Sequence, residues 1–254
     1  MLLGVVLLYV GAVLVINGIW LIGAAYAAVV ASREPAMDTQ AARARVRTTA
    51  SYGGEAAAVG AEELGGAVVE EPPAERAKAS PIFIQNREIA VINIFTGFIG
   101  VVIAIIAIVV GATASVPAVA SGAALGSVRL GAFILLFAFT YLWVAFNQYL
   151  NAGGRAFGWY CLFVAITAVP AGIFIFTGSG RGGLPLNTTW IWVGVDWFAW
   201  ALLWALFFAV LALDRPLSRI AVPLGIFTGG LAIAEGVGTS WALAFAILEG
   251  KLTF

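Results

Sequence analysis

Glu235 lies in the middle of a long apolar run, LAIAEGVGTSW, with no lysine, arginine or histidine near it in the chain. At the centre of a membrane-spanning helix an ionisable group costs about 2.5–3.5 kcal/mol on insertion scales. Such a residue marks either a solute or proton pathway or a hydrogen bond gluing two helices together. A second constellation precedes it: Trp190, Trp192, Trp197, Trp200 and Trp204. Trp197, Trp200 and Trp204 stand at i, i+3 and i+7, so they share one helical face, with Leu203 beside them. Trp190 and Trp192 suit an aromatic belt at the membrane surface. The deeper three either pack a helix interface or wall a narrow hydrophobic slot. Asp196, between the two groups, either snorkels toward the headgroups or faces a vestibule on the Trp200 side; the first is the plainer reading. Tyr141 fits packing and pore equally.

Other chemistry is excluded by what the chain lacks. With no histidine there is no Ser-His pair and no histidine metal site. Lys78 and Lys251 both fall outside the apolar runs, which removes a retinal-type Schiff base. No Gly-x-x-x-x-Gly-Lys loop is present for nucleotide, and an ion pump needs more intramembrane charge. Cys161 has no second cysteine to pair with. A net charge of zero gives no electrostatic footprint for nucleic acid. No enzyme, cofactor or metal is expected.

The elements that must position Glu235 and the tryptophans follow from composition. Apolar residues make up 62% of the chain and charged residues 10%, which excludes an ordinary soluble domain. Sixteen of the charged residues lie between Arg33 and Glu88, leaving the rest nearly bare. A bilayer core takes about 20 apolar residues per helix. Six such runs occur, at about 2–31, 87–110, 128–150, 156–177, 190–213 and 220–249. The first lacks a basic leader and is too long for a cleaved signal, so it reads as a span. The expected fold is all-α: a polytopic membrane protein of six transmembrane helices, arranged as three hairpins around a pore. It divides into helix 1 (1–31), a polar insert at 32–86 whose composition points to disorder or short transient helices, and helices 2–6 (87–254). Asn17, Asn93 and Asn147 are expected to hydrogen-bond between helices. The glycines of helices 2 and 6 are expected at close helix contacts.

Lysine and arginine placement sets the orientation. Ten of these residues fall on the side of the insert and only Arg129, Arg181 and Lys251 on the other. This predicts a cytoplasmic insert and external termini in a multi-pass protein of the cytoplasmic membrane.

The blocks MLLGVVLLYVGAVLVINGIW, AVINIFTG, LLFAFTYLWVAFN, GWYCLFVAITAVPA, WFAWALLW and LAIAEGVGTSW resemble, in order and in all six helices, the AmiS/UreI family of amide transporters and urea channels. The resemblance covers everything except residues 32–86 and the outer loops. It implies a homo-oligomeric ring of protomers, six in number, each with its own pore. It also implies an outer constriction at Leu3, Leu7, Phe137 and Trp197. An inner one is implied at Val10, Leu14, Tyr141, Trp200, Leu203, Trp204 and Glu235. Two departures stand out. The histidine-bearing external loops of the acid-gated urea channel have no counterpart here, so acid gating does not carry over. Val193 stands where a further outer tryptophan is expected, which widens the entrance.

The function implied is passive, channel-type passage of urea or short aliphatic amides. A flat neutral solute needs a slot that excludes ions and replaces lost water contacts, and Glu235 can accept its N–H groups. Two rival readings are a proton-coupled transporter using Glu235 and a membrane anchor whose insert docks a cytoplasmic urease or amidase.

Overall fold

The computed structural model describes residues 2–51, 84–120, 122–150, 152–181, 184–213 and 220–252, with 31–51 described as backbone alone. Six long helices result: α1 (Leu2–Ser51), α2 (Asn86–Ala112), α3 (Ala123–Leu150), α4 (Arg155–Thr177), α5 (Thr188–Ala212) and α6 (Ala221–Leu248). Each holds a stretch long and apolar enough to cross a membrane. In α1 that stretch ends at Val30, near the predicted helix end at 31, but the helix itself continues to Ser51. Nothing between Ser32 and Ser51 breaks a helix strongly except Pro35, and alanine and arginine favour one. The rest of the predicted insert, 52–83, lies outside the described residues. Asn187 caps α5, its side chain accepting from the Trp190 amide at 3.0 Å.

The helices are apolar on the outside. On α2, Val91, Phe95, Phe98, Val102, Ile105 and Val109 recur at spacings of three and four and are all exposed. The opposite face buries Asn93, Thr96, Gly97, Gly100 and Ala104. In water this inversion would leave a large apolar patch uncovered. In a bilayer it is the expected state, because lipid is as apolar as the residues facing it.

Consecutive helices pack in a closed ring, and α6 returns to α1. The most extensive interfaces are α2–α3, α4–α5 and α1–α6, whereas α1–α2, α3–α4 and α5–α6 touch less. The tight pairs are thus the alternate set to the sequence hairpins that begin at α1, α3 and α5. Small residues decide this. A Cβ at Gly18 would stand 2.5 Å from the Gly229 carbonyl, and one at Gly11 would stand 2.7 Å from that of Gly236, so α1 and α6 meet backbone to backbone. The same closeness recurs where Gly131 meets Ala104 (α2–α3) and Gly158 meets Ala212 (α4–α5). Without a hydrophobic drive between helices, dispersion at such contacts holds a membrane bundle together.

Polar locks secure the looser seams. Asn17 and Asn93 exchange side-chain hydrogen bonds of 3.1 and 2.8 Å between α1 and α2, as expected for these two. Asn147 behaves differently: its carbonyl oxygen accepts from the Ala152 amide at 3.1 Å, capping the end of its own helix rather than bridging to another. Within α6 the chain widens into a π segment over Gly236–Trp241, directly after Glu235. Such widenings often mark functional sites.

Candidate functional site

A cavity of about 450 Å³ lies inside the ring, entered from the face that bears both termini. Its mouth is formed by Leu2, Gly122, Arg129 and Arg181, and its deepest walls by Tyr141, Trp200 and Trp204. Both arginines at the mouth brace the α4–α5 link. Arg129 donates to the Ser179 carbonyl at 2.9 Å, and Arg181 donates to those of Ile175 at 2.8 Å and Leu184 at 2.7 Å.

Eight of the predicted pore residues share this cavity: Leu3, Leu7, Val10, Phe137, Tyr141, Trp197, Trp200 and Trp204. Leu14, Leu203 and Glu235 do not line it, although all three are buried. α1 contributes its apolar face, α3 its Phe137–Tyr141 turn, and α5 the tryptophan stripe. Phe137 is the hub of the deep end. It stacks on Trp204 at 4.5 Å between centroids and 16° between planes. It meets Trp200 edge-on at 4.9 Å and Trp197 at 5.3 Å. The stripe therefore both packs and lines, because an α3 ring fills the groove between the three indoles while all three tryptophans also belong to the cavity wall.

Two tertiary placements, those of Asp196 and Trp190, differ from the plain sequence readings. Asp196 does not snorkel: it is 1% exposed and lines the cavity. Its position four residues before Trp200 already placed both on one helical face. Trp190 lines the mouth and is half-buried, while Trp192 alone is exposed as a belt residue would be. Val193 is buried in the cavity wall, where a smaller side chain leaves more room than an indole.

The polar atoms of the interior are few. The carboxyl groups of Asp196 and Glu235 and the phenol of Tyr141 stand within electrostatic reach of one another. Neither oxygen of either carboxyl group has a hydrogen-bond partner among the described residues. The Thr239 hydroxyl, carried toward Asp196 by the π segment, is spent on the Glu235 backbone carbonyl at 3.0 Å. The indole N–H of Trp200 is also buried and unpartnered. Native interiors rarely leave such groups unpaired without a reason.

A helical ring with an aromatic-ended, sparsely polar cavity defines a small-solute transporter or channel. Residues 82–251 match the AmiS/UreI family transporter model, and the chain belongs to that family. It is 37% identical over 118 residues to a putative amidate substrates transporter protein of Mycolicibacterium smegmatis, covering 46% of this chain and 48% of that one. The match thus spans about half the length of that relative. An acid-activated urea channel of Helicobacter pylori is 33% identical over 174 residues, covering 65% of this chain and 85% of that one. The fold matches the closed-state cryo-EM structure of the Helicobacter pylori urea channel with a TM-score of 0.60, 26% identity, and coverage of 99% and 100% of the two chains.

Proposed function

We propose that the chain is a passive channel for urea or short aliphatic amides in the cytoplasmic membrane, with the aromatic end of the cavity and Glu235 beyond it as the selective path. The observation that carries this is Phe137 held among Trp197, Trp200 and Trp204 at the blind end of a largely apolar cavity. Flat rings leave a slot suited to a flat neutral solute, and an apolar throat opposes ions by dewetting. Leu14, Leu203 and Glu235 form the inner half of the path, where the Glu235 oxygens accept amide N–H groups. The relatives' names, a urea channel and an amidate transporter, bracket the substrate class. Stopped-flow swelling of proteoliposomes with urea, formamide, acetamide and butyramide tests it: solute entry above that of empty vesicles is expected, unaffected by an uncoupler. Uncoupler-sensitive accumulation against a gradient would instead support the proton-coupled reading, which the unpartnered Glu235 carboxyl favours.

The protomers assemble as a ring of six, each with its own pore, and both termini face outside. Cysteines placed at Gly122 and Gly180 are then labelled by impermeant reagents in intact cells, and one at Gly60 is protected. Labelling at Gly60 alone reverses the orientation.

A further inference from the structure

Asp196 and Trp200 stand one helical turn apart on the same face of α5, and both line the cavity. Their relative exposures are 1% and 7%. Between them they carry two acceptor oxygens and one N–H donor, all buried and all without a hydrogen-bond partner among the described residues. An acceptor and a donor left unpaired one helical turn apart, on residues that line an apolar cavity, are the complement of a group carrying one donor and one acceptor. A primary amide is that group. Its N–H donates and its carbonyl accepts, and residues at i and i+4 lie about 5–6 Å apart at Cβ, close enough for one small group to engage both.

We propose that Asp196 and Trp200 form the recognition site for the primary amide: the Asp196 carboxyl group accepts from the solute N–H, and the Trp200 indole N–H donates to its carbonyl. This rests on the channel reading above and adds a specificity residue to it, Asp196, upstream of Glu235. The site lies at the depth of the Phe137 hub, before the path reaches Leu203 and Glu235. The solute's alkyl end faces the apolar walls of Val10, Phe137 and Val193, which set no polar demand on it. A solute with no N–H leaves Asp196 buried and unpaired, and sites built around a hydrogen bond reject analogues that lack it far more strongly than apolar pockets reject size.

The test compares acetamide with N,N-dimethylacetamide, which keeps the carbonyl and has no N–H. Swelling rates are measured in proteoliposomes of the full chain, with the rate of empty vesicles subtracted. Asp196→Leu is expected to slow acetamide about tenfold and to speed N,N-dimethylacetamide several-fold, because the buried acceptor that this solute leaves unpaired is gone. Asp196→Asn, which keeps the shape and one acceptor oxygen, is expected to fall between parent and Asp196→Leu for acetamide alone. Trp200→Phe keeps a flat ring without the N–H and is expected to slow both solutes several-fold. If Asp196→Asn and Asp196→Leu slow the two solutes alike, or neither, the assignment is wrong while the channel stands. A parent protein that passes neither solute above empty vesicles removes the channel reading itself, and the assignment with it.

Discussion

Two aromatic-bearing stripes, on α2 and α5, are alike in sequence and opposite in place. Both recur at helical spacing in strongly apolar segments. Phe95 and Phe98 of α2 are each 59% exposed, whereas Trp200 and Trp204 of α5 are 7% and 6% exposed. The difference lies in what occupies the other face. α2 carries Asn93, Gly97 and Gly100 opposite its phenylalanines, and these approach α1 and α3 too closely for a large ring to share the interface. α5 keeps its stripe inside because Phe137 of α3 enters the groove between the indoles. In a bilayer, then, large apolar residues do not by themselves point inward. Small and polar residues do.

Substitutions at the small residues have the largest expected effect. Gly18→Leu drives its side chain into the Gly229 carbonyl and Ile233, and overpacking of that kind costs about 1–3 kcal/mol or more. Loss of monodisperse protein on size-exclusion chromatography is expected. Gly230→Leu, on the open side of α6 where a Cβ meets nothing within 4 Å, should purify and melt like the parent. If both behave alike, close approach is not what holds α1 to α6.

The stripes themselves come next. Phe137→Leu removes the ring on which three tryptophans pack, and its discrimination between acetamide and butyramide should fall by about tenfold. Phe98→Leu, facing lipid, should leave that ratio within about twofold. Equal effects would mean that the buried stripe is packing alone. A smaller change is expected at the seam between α1 and α2. Asn93→Leu abolishes the reciprocal amide pair and should lower stability by about 1–2 kcal/mol, read as a reduced melting temperature in detergent, with permeation retained. Asn147→Ala removes a single helix-end contact and should cost less.

The smallest expected effect is that of pH. A switch between about pH 5 and 8 ordinarily uses histidine, and the chain has none. Flux should therefore change less than about twofold when external pH is stepped across that range. A channel closed at neutrality and opened by acid would place a carboxylate gate among residues not assigned a role here.

How much of this was legible beforehand varies by residue. The six spans were legible because bilayer thickness imposes a length and a composition on each of them. Glu235 stood out as a candidate because an ionisable group in lipid is costly, although the structure sets it beyond the open cavity rather than in its wall. The Asn17–Asn93 bridge was expected as a class of contact, while Asn147 closes its own helix end. Asp196 was read toward the headgroups because its depth along α5 is ambiguous in sequence. Only its spacing from Trp200 hinted otherwise.

By itself the sequence determined that this chain lives in a membrane, how many times it can cross, and which residue types are available to a solute: indoles, tyrosines and a few carboxyl groups along apolar helices. These follow from transfer energies, which act on each residue almost independently of its neighbours. Tertiary structure alone decided which helices pair tightly, that α6 closes the ring on α1, and that Phe137 reaches into the groove of α5. It also decided that the Asp196 carboxyl group and the Trp200 N–H are buried without partners on residues that line the cavity. Those outcomes depend on how backbones approach at Gly11, Gly18, Gly229 and Gly236 and at their counterparts on the other pairs. Close packing between helices is a property of surfaces in contact, and no single helix carries it.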